Sequence, residues 1–268
     1  MSNFQAKSGN TLHGPMTWIA SDVFIGRSLE AYGQYSAYET VLFQHFVVPG
    51  ATVLDVGANI GVFTVALVRM ATPTGRVLAF EPQTEVFGLL SSNVEANCLT
   101  NVTLHQAGIG REAGTLNVPV MDYAAEGNFG GVELSSEPSG GTSVDIITID
   151  SLNLDACRLI KIDVEGMETE VIAGGTKTIK RLRPILYVES DRKQNAAELI
   201  LAILGLDYRL YLHLAPLFEP NNFYKNTDNI FGKNVLSANM LCLPGEIEQN
   251  IEGLKELKAP EDLISILP

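Results

Sequence analysis

Four acidic residues close apolar, strand-like runs: Asp55 in "TVLDVG", Glu81 in "RVLAFEP", Asp163 in "RLIKIDVEG" and Glu189 in "PILYVES". In open α/β sheets ligands bind outside the carboxyl ends of the strands, where the strand order reverses. Glu81 stands where a carboxylate accepts hydrogen bonds from both hydroxyls of a ribose. Between Asp55 and the apolar run "VFTVALVRMA" lies a turn from Gly57 to Gly61. Gly57 lets the chain leave the strand tightly, and Gly61 lets the helix start press against a ligand. Backbone N–H groups at that helix start favour a carboxylate or phosphate.

A ribose fits several cofactors, and the turn discriminates among them. A bound pyrophosphate wants a central glycine for close backbone approach, and Asn59 occupies that position. No Gly-Lys-Ser/Thr ending is present for a triphosphate. Asp55 and Asp163 add negative charge that repels a diphosphate and attracts a cationic amine or sulfonium. The combination favours S-adenosylmethionine, with adenosine held at Glu81 and the amino-acid end at the turn. An NAD-dependent oxidoreductase on the same kind of sheet is the alternative, as is a non-catalytic S-adenosylmethionine-binding protein.

Apolar strands alternating with helical patterns from Thr52 onward predict a parallel sheet with helices on both faces. Ile60, Phe63, Thr64, Leu67 and Val68 recur at helical spacing after the first strand. Near-continuously apolar strands are those buried on both faces. A single helix is expected over roughly 167–181. "YRLYLHLAPLF" and "LSANMLCLP" are strands separated by a loop, so they pair antiparallel. The expected fold is α/β: a Rossmann-like, seven-stranded, mostly parallel sheet with one antiparallel strand. Residues 1–48 are expected as a helical lead-in and 49–245 as the main domain, with an irregular glycine-rich insertion at about 111–143. Residues 246–268 are expected as a helical tail, with Ile247, Ile251, Leu254 and Leu257 on one stripe.

The formal net charge of −13 in 268 residues, without a basic stripe, argues against nucleic acid as partner. No stretch is apolar enough to span a membrane, and the first residues lack the form of a secretory signal. Cys98, Cys157 and Cys242 lie far apart without metal spacing, which suits reduced thiols and a cytoplasmic location. The tail is a candidate surface for a homo-oligomer.

The segments "VLDVGANIGVFTV", "AFEPQ", "LIKIDVEGMETEVIAGG" and "PILYVESD", in this order, resemble the FkbM family of S-adenosylmethionine-dependent methyltransferases. "YGQYSAYE", "TSVDIITIDSL" and "ANMLCLP" resemble its flanking pieces, so the likeness covers roughly residues 32–244. It implies a class I methyltransferase fold and O-methylation of a hydroxylated small molecule such as a sugar, polyketide or glycolipid. By position it implies Asp55, Gly57, Ala58, Asn59 and Gly61 at the methionine end, Glu81 on the ribose and Gln83 near the adenosine. Ala107 and Gly108 match the place where such enzymes meet the adenine. Asp163 would face the amino group or the methyl region, and Glu39 would close over the cofactor.

Methyl transfer is an in-line displacement, in which positioning is worth about 7–11 kcal/mol and a general base about 10²- to 10⁴-fold. Glu165, Glu189 and Asp163 are the candidate catalytic residues. Two competing roles are a helix cap for Glu165 and an ion pair with Arg192 or Lys193 for Glu189. The three carboxylates would also suit Mg²⁺, which takes oxygen ligands, although no metal is expected. His105 and His213 read as packed strand residues, with the second also able to face the pocket.

Overall fold

Apolar runs buried on both faces form the centre of the computed structural model, which describes residues 4–134, 141–248 and 250–266. The chain opens with an antiparallel hairpin of β1 (Ala6–Thr11) and β2 (Gly14–Ile19). Helices α1 (Ile25–Tyr32) and α2 (Ala37–Gln44) follow. Strand β3 (Thr52–Val56) leads into α3 (Val62–Ala71), β4 (Arg76–Phe80), α4 (Thr84–Ala96) and β5 (Val102–His105). The insertion contributes β6 (Gly108–Ile109), β7 (Gly114–Val118) and β8 (Thr142–Ile147), a small separate sheet. Next come β9 (Leu159–Ile162), α5 (Glu168–Gly174), α6 (Thr176–Leu182), β10 (Ile185–Glu189) and α7 (Lys193–Leu204). The chain continues through β11 (Tyr208–Pro216), β12 (Leu236–Pro244), β13 (Lys255–Leu257) and α8 (Pro260–Ile264).

The main sheet has the order β13-β11-β12-β10-β9-β3-β4-β5. Its five strands from β10 to β5 are parallel, and β12 runs against both β10 and β11. That is the expected α/β sheet of the class I methyltransferases, Rossmann-like, with its single reversed strand. One strand is added: β13 pairs antiparallel with the outer edge of β11. The order reverses at β3, which neighbours β4 on one side and β9 on the other. A ligand crevice is therefore due at the carboxyl ends of β3 and β9.

Three local expectations need correction. The lead-in is not purely helical, because the hairpin precedes α1. It docks on α4 through Asn93, whose Oδ1 accepts the Thr17 N–H at 2.7 Å and whose Nδ2 donates to Thr17 O at 2.9 Å. The expected helical tail is reduced, among the described residues, to the short α8, and the stripe ahead of it is not helical. Ile247, Ile251 and Leu254 pack under the sheet without forming a helix, while Leu257 is buried in β13. The unpaired edge of β11 offers ladder bonds to residues 255–257, a tertiary gain that overrides helical spacing. The helix expected over 167–181 is two helices, α5 and α6, meeting at Gly175.

Register places one row of residues across the sheet. Asp55 on β3 lies beside Lys161 on β9, and Lys161 lies beside Tyr187 on β10. Side chains of one register row share a face, here the face covered by α2 and α3. Lys161 is fully buried, with its Nζ 3.5 Å from Asp55 Oδ1 and 3.2 Å from Asp163 Oδ2. The same nitrogen donates to Gly57 O at 3.0 Å and lies 5.2 Å from the centre of the Phe63 ring.

Two expectations test this account. Lys161→Met keeps the length of the side chain but strands the buried Asp55 carboxylate, and should cost about 3–5 kcal/mol in urea unfolding. A loss below about 1 kcal/mol would remove the pair from the fold's foundations. Gly88 lies exposed within α4 and a Cβ there would meet nothing within 4 Å, so Gly88→Ala should stabilise by about 0.5–1 kcal/mol. A lower unfolding midpoint for that variant would contradict the open environment described.

Candidate active site

The turn after β3 is built by left-handed backbone. Gly57, Asn59 and Gly61 have φ of +79°, +49° and +91°. At Gly57 a Cβ would fall 1.7 Å from the backbone oxygen of Asp163, so only glycine lets β3 and β9 approach this closely. Asn59 adopts the left-handed conformation that asparagine tolerates better than most residues. Its side chain turns to accept the Ile60 N–H at 2.7 Å. The missing central glycine is thus replaced in conformation, with an amide side chain added. Gly61 does other work than expected: a Cβ there would meet Leu90 Cδ1 at 2.6 Å, so its bareness serves the packing of α3 on α4. Gly57, Ala58 and Asn59 line the crevice, and Gly61 does not.

Glu81 projects from the end of β4 against that turn. Its Oε2 accepts the Asn59 N–H at 3.0 Å and its Oε1 accepts the Gln83 N–H at 2.9 Å. Burial pushes its carboxyl up to about 7, against the pull of those two hydrogen bonds and of Lys161. Each oxygen keeps a further lone pair for a ligand hydroxyl. Gln83 Nε2 donates to Phe129 O at 3.0 Å, and its Oε1 accepts from the Tyr123 hydroxyl at 3.2 Å, so this side chain fastens the insertion to the site.

The crevice consists of two hollows that share Gly57, Glu81, Gly130, Asp163 and Glu165. The smaller is a mainly apolar slot between Ala107–Ile109, Pro82, Val132, Leu134 and Met167. The larger is lined by Phe24, Ile25, Tyr35, Leu217 and Leu236 together with the acidic Asp163, Glu165, Glu189 and Asp191.

Asp163, Glu165 and Glu189 come together, with one carboxylate oxygen of each within 4.8 Å of the others. Burial, then the charges of Asp163 and Glu165, push Glu189 well above the usual carboxylate range. Its Oε2 is buried without a hydrogen-bond partner. Glu165 is not a helix cap. Glu168, the first residue of α5, ties down the loop before the helix, its Oε1 accepting the Val164 and Gly166 N–H groups at 3.3 and 3.0 Å. Glu165 instead accepts from Arg192 Nη2 at 2.7 Å, and burial with repulsion from Asp163 and Asp191 raises it to about 8. Arg192 also pairs with Glu133 of the insertion, so the expected bond to Glu189 is not the one it makes. The oxygen-only cluster has the donor chemistry of a Mg²⁺ site, with Lys161 beside Asp163 and Arg192 beside Glu165.

Asp55 and Glu39 lie beneath this floor and do not line it. Asp55 Oδ2 accepts from the Thr64 hydroxyl at 2.6 Å, and its other oxygen faces Lys161. Glu39 Oε1 accepts from the Ser36 hydroxyl at 2.6 Å, and burial raises this carboxyl to about 7. Both therefore act through Lys161 and the packing around it, because buried desolvated carboxylates need nearby donors. His213 Nδ1 is 2.8 Å from the Tyr187 hydroxyl and lines neither hollow. His105 stacks on Phe80 at 4.7 Å. Sequence reasoning missed Lys161, whose signal was a charge inside an otherwise apolar strand. It also missed Phe24, Ile25, Tyr35, Leu217 and Leu236, which carry no chemical signature.

A profile described as "Methyltransferase FkbM domain" matches residues 55–210. "Methyltransferase 1" of Beauveria bassiana is 31% identical over 144 residues, covering 46% of this chain and 57% of that protein. "Hexuronic acid methyltransferase AglP" of Haloferax volcanii is 27% identical over 136 residues, covering 49% of this chain and 53% of its own length. The chain thus spans little more than half the length of these curated relatives. A crystal structure of methyltransferase FkbM from Methylobacillus flagellatus superposes with a TM-score of 0.49 at 18% identity, over 76% of this chain and 50% of that one. The matched segment runs from Asp55 through the Glu81, Asp163 and Glu189 strand ends, more than half of the chain, and the protein belongs to the FkbM methyltransferase family.

Proposed function

We propose that this protein transfers the methyl group of S-adenosylmethionine to a hydroxyl of a small molecule such as a sugar, a polyketide or a glycolipid. The observation that carries the reading is Glu81, a buried carboxylate held by two backbone N–H groups at the β4 end with lone pairs to spare. In this reading those lone pairs take the two ribose hydroxyls. The slot beside Ala107 and Gly108 takes the adenine, and the backbone of Gly57–Asn59 meets the amino-acid end.

When bound, S-adenosylmethionine supplies an electrophilic methyl group on a sulfur that is already a good leaving group. The protein's tasks are alignment and exclusion of water. Phe24, Ile25, Leu217 and Leu236 line the larger hollow together with the acidic residues and displace solvent from it. An ionised carboxylate of the Asp163, Glu165 and Glu189 cluster is placed to accept the proton of the acceptor hydroxyl. Arg192 holds Glu165 within this cluster. Alignment accounts for about 7–11 kcal/mol and the base for about 10²- to 10⁴-fold, so most of the catalysis rests on the shape of the cavity.

Glu81→Gln should weaken S-adenosylhomocysteine binding by about ten- to a hundredfold in titration calorimetry, since it removes a charged acceptor from two ligand hydroxyls. Unchanged affinity would remove the ribose assignment. The pH dependence follows in sign. Burial raises Glu81 to about 7 in the free protein, and the ligand hydroxyls favour its ionised form. Affinity should therefore be full above about pH 7 and decline up to about tenfold per unit below it, a decline that Glu81→Gln abolishes. Turnover is tested with labelled methyl donor and a screen of hydroxylated sugars, polyketides and glycolipids. Persistent silence despite tight cofactor binding would point to a binding protein without chemistry.

A further inference from the structure

We infer that the methyl acceptor carries no anionic group near the hydroxyl that reacts, and presents neutral or amine-bearing functionality to the acidic wall. This deepens the methyl-transfer reading and rests on it.

The inference comes from a census of charge around the larger hollow. Asp163, Glu165, Glu189 and Asp191 line it, and among the described residues Lys161 is the single cation that does. Lys161 is already committed, with its Nζ 3.5 Å from Asp55, 3.2 Å from Asp163 and 3.0 Å from Gly57 O. Arg192, the nearest other cation described, bonds Glu165 at 2.7 Å and pairs with Glu133. Lys161 cannot turn to a phosphate or carboxylate without leaving the buried Asp55 unpaired, and Arg192 can do so only by giving up the largely buried Glu165 or its contact with the exposed Glu133. The side chains of Phe24, Ile25, Tyr35, Leu217 and Leu236 offer an anion no charge, only the Tyr35 hydroxyl. Neutral polar contacts are available: the amides of Asn59 and Asn128 and the hydroxyl of Ser237 also line the space. A hydroxylated body with one apolar face suits these walls, and a protonated amine beside the hydroxyl suits the carboxylates best. Uronic acids, sugar phosphates and free carboxylic acids do not suit them.

The test uses ligands that anchor through the cofactor half. Aza analogues of S-adenosylhomocysteine are prepared in which the bridging nitrogen carries a three-carbon arm ending in carboxylate, carboxamide or ammonium. Their affinities are measured by calorimetry at pH 8 beside S-adenosylhomocysteine itself. The expected order is ammonium, then carboxamide, then carboxylate, the last at least about tenfold weaker than the carboxamide. A carboxylate arm that binds as tightly as the carboxamide overturns the inference. So does equal exclusion of all three arms, because the wall would then select on size. Failure of S-adenosylhomocysteine to bind at all removes the methyl-transfer reading instead, which keeps the two failures distinct.

Discussion

A lysine in the middle of a strand buried on both faces costs several kcal/mol in desolvation unless its charge is matched at once. In this fold the matching groups come from the two strands that flank the switch point. Lys161 draws together Asp55 and the Gly57 carbonyl on the β3 side with Asp163 on its own strand. These contacts fix how far apart the ends of β3 and β9 lie. The 1.7 Å clearance that forbids a Cβ at Gly57 is the geometric record of the same closeness. Cofactor turn and acidic wall are therefore two ends of one ion cluster. Displacing one member displaces the other.

The cluster also explains why so many carboxylates tolerate one another. Glu39, Glu81, Glu165 and Glu189 are all raised, with burial the largest cause in each. A site of this kind stores protons near neutral pH instead of pairing every charge, which is the environment in which a carboxylate serves as a base. Hydroxyl methylation asks for this combination: a negative potential that welcomes a sulfonium, and an acceptor for one proton.

Much of this was legible in the sequence. Apolar runs, their order and the acids at their ends located the sheet, its reversed strand and the crevice, because strand burial and switch-point geometry leave direct marks on composition. Other features were not local. Lys161 stood in plain view in "LIKID", but its partner Asp55 is a neighbour only through sheet register. Asp55 and Glu39 were expected to line the site and instead lie beneath it, since strand alternation sends Asp55 to the face under α3. The stripe Ile247, Ile251, Leu254, Leu257 had helical spacing, yet an open strand edge claimed its last member. The hairpin at 6–19 is tied to α4 by Asn93, 76 residues from its partner Thr17 in the chain, and by Asn97 just beyond the helix.

The two halves of the crevice also differ in where they come from. The cofactor half is carried by strand ends within residues 55–210, the segment shared with the family. The wall that would face an acceptor is assembled from Phe24, Ile25 and Tyr35 ahead of that segment and from Leu217 and Leu236 beyond it. The insertion is tied to this wall: Asp22 Oδ2 accepts the Phe129 N–H at 3.4 Å, and the Val23 N–H donates to Gly127 O at 3.0 Å. The uncharged side chains of that wall add nothing to the charge balance of the ion cluster beneath them, so they can vary without disturbing it. In the proposed reading, methyl donation rests on the acidic strand ends that the family segment carries, whereas the apolar wall that would shape the acceptor comes from residues outside that segment.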